Sequence, residues 1–405
     1  MTPAIWRNRD YMLLWGGQVV STAGSAASTA VIPLLILALT GSATSAGFAA
    51  ALRWMPYMLF SLPGGALIDR WDRKRVMIVC DLGRALAVGS IPVAMFLDAL
   101  TIAQIYAVCF VEGSLFVFFN LAEVAALPHV VRRDELPEAT AQNEAGFGAA
   151  NIVGPPIGTF LYQALGRAVP LLVDALSYIV SVVSLVCIRK HFRTAAAPVH
   201  HDLGKEVMDG LRWLWGKPLI RYMGFLTGGY NLVMGALPLV IIVLSKQLGS
   251  SDAEVGLMFS MAGMGAIVGS LVGGRIQKRF TFSQVIVAVT WFNMLCVALY
   301  AVMPSPLWVG VLSAVFFFQG PIYNVVQFSY RIALIPDELQ GRVNSVFRLL
   351  AFGLIPVGAA AGGMIIDHLG VVSCVAALAL WSAMLAIATS LNRHVRAAVP
   401  IEKVA

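Results

Sequence analysis

The sequence predicts an all-α membrane protein: twelve transmembrane helices in two six-helix, pseudo-symmetric bundles. Three observations carry that prediction. They are an apolar excess that water cannot solvate, polar breaks that leave span-length runs, and an internal repeat. Of 405 residues, 59% are hydrophobic and 12% charged, with a mean hydropathy of +0.81. A soluble domain carries about 45–50% apolar and about 25% charged residues, so this chain lacks the polar surface to face water throughout. A helix needs ~20 apolar residues to cross ~30 Å of hydrocarbon at ~1.5 Å per residue. Unbroken apolar runs favour helices, which satisfy their own backbone groups, over barrel strands, which alternate apolar and polar over ~10 residues.

The chain starts with the short basic segment "MTPAIWRNRD" and then turns apolar. No A-x-A-like cleavage site follows a short apolar core, so a retained first span is expected. Polar breaks place the spans at 11–38, 44–68, 76–97, 101–127, 142–165 and 169–189, then 219–245, 254–276, 283–303, 306–330, 343–367 and 370–392. The one long polar interval, 190–218, contains "GKEVMDGLRWLWGKP", with Val207, Leu211, Leu214 and Trp215 at helical spacing. This pattern predicts a short amphipathic helix on the membrane surface, with Lys205, Arg212 and Lys217 at the headgroups. A solvated linker is the alternative. The domains are therefore an N-terminal bundle (1–190), a cytoplasmic linker (191–218) and a C-terminal bundle (219–405).

Basic residues set the orientation. With the N-terminus inside, 24 of the 28 Lys and Arg fall on the cytoplasmic side. Only Arg167 and Lys246 lie in outer loops, while Arg53 and Arg84 lie within spans. The positive-inside rule then predicts both termini cytoplasmic, in the cytoplasmic (inner) membrane. The net charge of +7 reads as a signal for topology and anionic membrane lipids, and calls for no nucleic-acid partner.

The halves repeat one another. "GSATSAGF…GGALIDR" (41–70) matches "GSSDAEVGLMF…GGRIQKR" (249–279), and "DELPEATAQNEA" (134–145) matches "DELQGRVNSV" (337–346). Duplicated six-span halves suit a transporter with its binding site near mid-membrane between them. Cys80, Cys109, Cys187, Cys296 and Cys374 are scattered singly through apolar runs, as small membrane-core residues would be. The six His show no metal spacing, and there is no Walker loop, G-x-S-x-G or H-E-x-x-H. Neither ATP drive nor hydrolase chemistry has support, so no enzyme activity, cofactor or metal is expected.

The stretch "GALIDRWDRKR" (65–75) resembles the span 2–3 loop signature of the major facilitator superfamily, and the six-plus-six layout agrees with it. "LLWGGQVVSTAGSAAS", "LPHVVRRDELPEATAQNEA", "LVDALSYIVS" and "GRVNSV" resemble its drug-exporter branch, which includes macrolide-efflux and enterobactin-exporter relatives. The resemblance implies a gating latch at Asp69, with Gly65 allowing close helix packing and Arg70, Arg73 and Lys74 in support. Topology alone accounts for the basic residues, whereas positive-inside sorting gains nothing from an acid such as Asp69. Lys278 stands where a second-half copy of Asp69 would be, so the latch is one-sided, and Asp72 replaces a Gly usual in the signature. In "GFGAANIVGPPIGTF", Gly148, Gly154, Pro155 and Gly158 resemble the fifth-helix signature of exporters. Close packing and a proline kink follow from those residue types, with or without a directional meaning.

Charges inside spans cost ~2.5–3.5 kcal/mol each even on the mild insertion scale. Arg53 and Glu112 lie at similar depth, roughly 13–17 Å at 1.5 Å per residue, so an ion pair is expected. It is either structural or a proton-coupling site, since burial favours the neutral acid and Arg53 opposes that. Proton-driven exporters of a sister branch carry an Arg in span 4 where Cys109 stands here, so their scheme does not transfer. Asp81 and Arg84 read as a local structural pair. Glu123 and Glu144 read as interfacial, and Asp174 and Asp367 receive no role. The fold implied by the resemblance lines its cavity with spans 1, 4, 7 and 10. That makes Gln18, Asn120, Tyr230, Asn231, Gln319, Tyr323, Asn324 and Gln327 substrate-cavity candidates beside Phe116, Met234 and Phe316. The resulting pocket would be large and mostly apolar, suited to amphipathic molecules. The expected function is a monomeric, proton-driven exporter of amphipathic small molecules. Export of a defined metabolite such as a siderophore or lysolipid is the alternative, ahead of a non-transporting receptor or embedded enzyme.

Overall fold

Long helices dominate because the apolar runs leave backbone groups no partner but one another. The computed structural model describes residues 4–68, 70–189, 203–336 and 339–398. In order, its α-helices are α1 (Arg9–Thr40), α2 (Ala43–Ile68), α3 (Arg73–Phe96), α4 (Ile102–Val130), α5 (Leu136–Leu165) and α6 (Val169–Cys187). After these come α7 (Leu203–Gly216), α8 (Pro218–Gln247), α9 (Asp252–Arg279), α10 (Phe282–Leu299), α11 (Pro306–Leu334), α12 (Gln340–Phe352), α13 (Leu354–Leu369), α14 (Val371–Leu391) and α15 (Arg393–Arg396). There is no strand among the described residues.

Ten of these segments are long and apolar enough to cross a membrane. The helices α2 and α5 are also long, 26 and 30 residues, but carry more polar and proline positions. The expected span 343–367 is two helices that break at Gly353, three residues before Pro356, whose missing N–H would leave a helical carbonyl unpaired there. Large apolar side chains such as Leu86 (76% exposed) and Leu271 (69% exposed) point outward. Such a surface belongs in hydrocarbon.

The chain forms two compact units. The first comprises Met1–Gly41 and Leu52–His200; the second comprises Ser42–Ala51 and His201–Ala405. In the first, α1 packs on α5 and α6, and α3 on α4 and α6. In the second, α8 packs on α13 and α14, α10 on α11 and α14, and α9 on α11. The linker contains a helix, α7, with Leu214 fully buried and Trp215 exposed. It packs on α8 and α12; residues 190–202, the rest of that linker, lie outside the described residues, as does Asp69.

Candidate functional site

In the first unit, four charged side chains meet among α2, α3 and α4. Gly113 makes the meeting possible: a Cβ there would lie 2.2 Å from the Arg53 carbonyl oxygen, so only glycine lets α4 press against α2. Glu112, one residue earlier, then reaches Arg53, with Nε 3.2 Å from Oε2. The expected pair is present, but it is not isolated. Arg84 takes the other oxygen of Glu112, with Nη2 at 2.9 Å and Nε at 3.2 Å. Arg84 Nη1 also lies 3.2 Å from Asp81 Oδ1, and Nη2 donates to Ser25 Oγ at 3.2 Å. The Tyr178 hydroxyl donates to Glu112 Oε1 at 3.3 Å, and its ring lies 4.2 Å beneath the Arg84 guanidinium.

Asp81, Arg84 and Glu112 are 0%, 3% and 4% exposed. At that depth an unpaired charge is costly, and two cations against two anions leave the cluster neutral. The expected local pair of Asp81 and Arg84 is present, and Arg84 is also shared with Glu112 of α4. Asp81 Oδ2 has no hydrogen-bond partner. Asp174 is also buried, beside Ser177 and the close-packed Gly24. Sequence reasoning missed Arg84 and Tyr178 as partners of Glu112, and Ser25 as a partner of Arg84 and Tyr178. The available signal was the polar content of "LVDALSYIVS" within an apolar span.

The span 2–3 cluster does several jobs. Asp72 caps α3, accepting from the Arg75 amide at 3.2 Å, so the acid that replaces the usual Gly starts a helix. Arg73 is buried and donates to the Ala125 carbonyl of α4 at 3.0 Å, next to His129. Lys74 Nζ reaches the Ile188 carbonyl past the end of α6 at 2.7 Å; both bind the carbonyl-rich ends of helices. Arg70 is exposed. Gly65 does not provide close packing as expected, since a Cβ there would meet nothing within 4 Å. Its neighbour Gly64 does, at 2.9 Å from Leu121 Cδ1. Between α4 and α5, a hydrogen bond from Arg132 holds the Asp134 carboxyl below the usual carboxylate range.

In α5, Gly154 and Gly158 press on α1, with Cβ positions 2.6 Å and 2.7 Å from the Ala26 and Ala27 Cβ atoms. Gly148 faces open space. The helix continues through Pro155 and Pro156, and Thr159 Oγ1 donates to the Pro155 carbonyl at 3.0 Å.

The second unit gathers some of the cavity candidates. Tyr230 stacks on Tyr323 and Phe316, with centroids 5.7 Å and 6.4 Å apart, and Tyr323 Oη lies 2.7 Å from Thr227 Oγ1. Gln319 and Gln327 are buried beside them on α11, with side-chain amide atoms unpartnered. A cavity of about 10 Å³, room for one water, lies among Tyr230, Asn293, Tyr323 and Ser382. Asn231 instead donates to the Ala351 carbonyl at 2.8 Å, and Asn324 is exposed. Gln18 and Asn120 belong to the first unit; Gln18 Nε2 is buried without a partner.

One carboxylate first given no role has a clear one. Asp367, at the end of α13, accepts from Ser42 Oγ and the Ala43 amide at 2.6 Å each and from the Thr44 amide at 2.8 Å. It closes the N-terminus of α2, whose first turn counts with the second unit.

The family model described as transmembrane secretion effector matches residues 2–403. The multidrug efflux pump Tap of Mycolicibacterium fortuitum is 27% identical over 387 residues, covering 91% of this chain and 92% of that protein. The enterobactin exporter EntS of Shigella boydii serotype 18 is 23% identical over 324 residues, covering 78% and 75%. Among solved structures, the nucleoside transporter NupG superposes with a TM-score of 0.76 at 14% identity, over 93% of this chain and 99% of that one. A bacterial homologue of the iron transporter ferroportin gives 0.71 at 15% identity, over 95% and 99%. At such identities the structures establish the fold alone.

Proposed function

The chain belongs to the transmembrane secretion effector family of the major facilitator superfamily, as a multi-pass transporter and not an enzyme, and on that premise we propose secondary active export of amphipathic small molecules by proton antiport through alternating access. Relatives named as a multidrug efflux pump and an enterobactin exporter support export of small molecules. The proposal takes α2 and α5 as the eleventh and twelfth crossings, and the recurring helix pairings of the two units as the mark of duplicated bundles. It has both termini cytoplasmic, a monomer in the inner membrane, and the polar aromatic face of α8 and α11 as part of the substrate site.

One observation carries the coupling: Arg84 is shared by carboxylates on two helices. A proton on Glu112 would remove the charge that holds Arg53 and Arg84. Arg84 would then pair more fully with Asp81, the carboxylate it already contacts on α3. Proton arrival would thus loosen α4 from α3 and from α2 at Gly113. Asp69 is proposed as the cytoplasmic latch that releases as the cycle turns.

The test is ethidium efflux from proteoliposomes under an imposed pH gradient. Wild type should transport with a rate that follows the gradient, and Glu112→Gln should lose that dependence. Normal gradient-dependent efflux by Glu112→Gln would sink the coupling role. The enterobactin-exporter relative favours a second reading, export of one defined metabolite; that substrate would then compete with ethidium where unrelated amphipaths do not.

A further inference from the structure

The second unit treats a buried cation differently from the first. Arg331, near the end of α11, is 6% exposed. No carboxylate among the described residues lies within ion-pair distance, and its Nε has no hydrogen-bond partner. The guanidinium stacks on Phe347, 3.9 Å from the ring centroid, with Phe328 at 5.3 Å. Arg348, on α12, adds positive charge close by. A cation–π contact returns only ~0.5–2 kcal/mol, short of what a buried, unpaired charge costs. In the first unit, by contrast, Arg53 and Arg84 meet carboxylates.

Arg331 also ends a stripe. Gln319, Tyr323, Gln327 and Arg331 recur every four residues, so they share one face of α11. All four are buried. The Gln327 amide has an Nε2 donor with no acceptor. One helix face thus offers an unused donor and a fork-shaped cation, walled by Phe328 and Phe347. That combination lacks an anion. A guanidinium binds carboxylate, phosphate or sulfonate through paired N–H donors, while the aromatic wall suits an apolar body.

We propose that Arg331, with Gln327 beside it, forms an anion site in the second unit that binds the acidic group of an amphipathic molecule. This adds acidic amphipaths to the substrates of the exporter proposed above, and rests on that reading only for the direction of transport. The acidic group has two possible sources, a soluble amphipathic anion or a phospholipid headgroup.

The test uses full-length protein in phosphatidylcholine nanodiscs and two fluorescent probes with the same apolar body, dansylglycine and dansylamide. Wild type should prefer the carboxylate probe by about tenfold, the equivalent of ~1.4 kcal/mol. Arg331→Gln should abolish the preference, and Arg331→Lys should keep part of it. An equal preference in Arg331→Gln, or none in wild type, would overturn the site. So would a probe-independent loss of stability shared by Arg331→Gln and Asp337→Asn or Glu338→Gln, which would mark an internal ion pair. Added phosphatidylglycerol assigns the source of an established site. Competition in wild type means a lipid headgroup fills it, and no competition means a soluble anion does. Ethidium efflux by wild type reads the export proposal separately, so either idea can fail alone.

Discussion

Replacing Arg84 with Gln should destabilise the first unit more than replacing Arg53. Arg84→Gln removes two contacts to Glu112, one to Asp81, one to Ser25 and the stacking on Tyr178. It also leaves two buried carboxylates facing one cation. Breaking a buried pair by removing one partner costs ~3–5 kcal/mol. Arg53 makes a single 3.2 Å contact, and the Glu112 charge left behind keeps its bonds from Arg84 and Tyr178. A cost of ~1–2 kcal/mol fits the loss of one hydrogen bond among several to the same carboxylate. For a unit of this size, ~1 kcal/mol moves a melting temperature by ~2–4 °C. Arg84→Gln should therefore lower it by roughly 6–20 °C and Arg53→Gln by a few degrees, measured by thermal unfolding in detergent. Adding Asp81→Asn to Arg84→Gln restores neutrality and should recover part of the loss. If Arg53→Gln costs as much, or the double variant is no better than the single, the cluster is held by packing and the charge argument is wrong.

Three further outcomes are expected. Gly113→Ala puts a methyl 2.2 Å from the Arg53 carbonyl, so α2 and α4 must part by roughly 1 Å at ~1–3 kcal/mol. Gradient-driven efflux should fall, while Gly148→Ala, in open space, stays near wild type. Asp367→Asn keeps one acceptor but loses the charge that closes α2; amide exchange at Ala43 and Thr44 should accelerate about tenfold, for ~1.4 kcal/mol of lost protection. Unchanged exchange there would show the cap to be unimportant. Asp69→Asn should bind substrate yet turn over slowly, and normal turnover would remove the latch.

The fold was legible because span length and apolar periodicity are one-dimensional quantities, and the bilayer makes them obligatory. Arg53–Glu112 was legible for the same reason: equal depth follows from counting residues inward from predicted span ends. The second partner of Arg84 was missed because Asp81, three residues away, offered a sufficient local one. Nothing in the sequence shows that α3 turns Arg84 toward α4. Gly65 was preferred to Gly64 through motif resemblance, yet which of two adjacent glycines meets Leu121 depends on helix rotation, which an apolar run leaves undetermined. Asp367 received no role because two of its partners are backbone amides 323 and 324 residues earlier in the chain, and amides carry no side-chain signal. Arg331 entered the topology count as one basic residue among 24 inside, which concealed its burial.

The coupling proposal treats the first unit's cluster as a moving part rather than a staple. A buried ion-pair network replaced by well-packed apolar groups of similar volume is often neutral or stabilising, so stability alone gives little reason for four charges at this depth. What apolar packing cannot supply is a second arrangement of nearly equal energy. Arg84 has one already outlined, because Asp81 keeps a buried oxygen unpartnered while Glu112 has both oxygens occupied. Adding one proton to Glu112 changes which of these carboxylates can hold the guanidinium, and the two lie on different helices. A network fully satisfied in one arrangement would only rigidify the bundle. The uneven satisfaction seen here is what a proton needs in order to bias the position of α3 against α4.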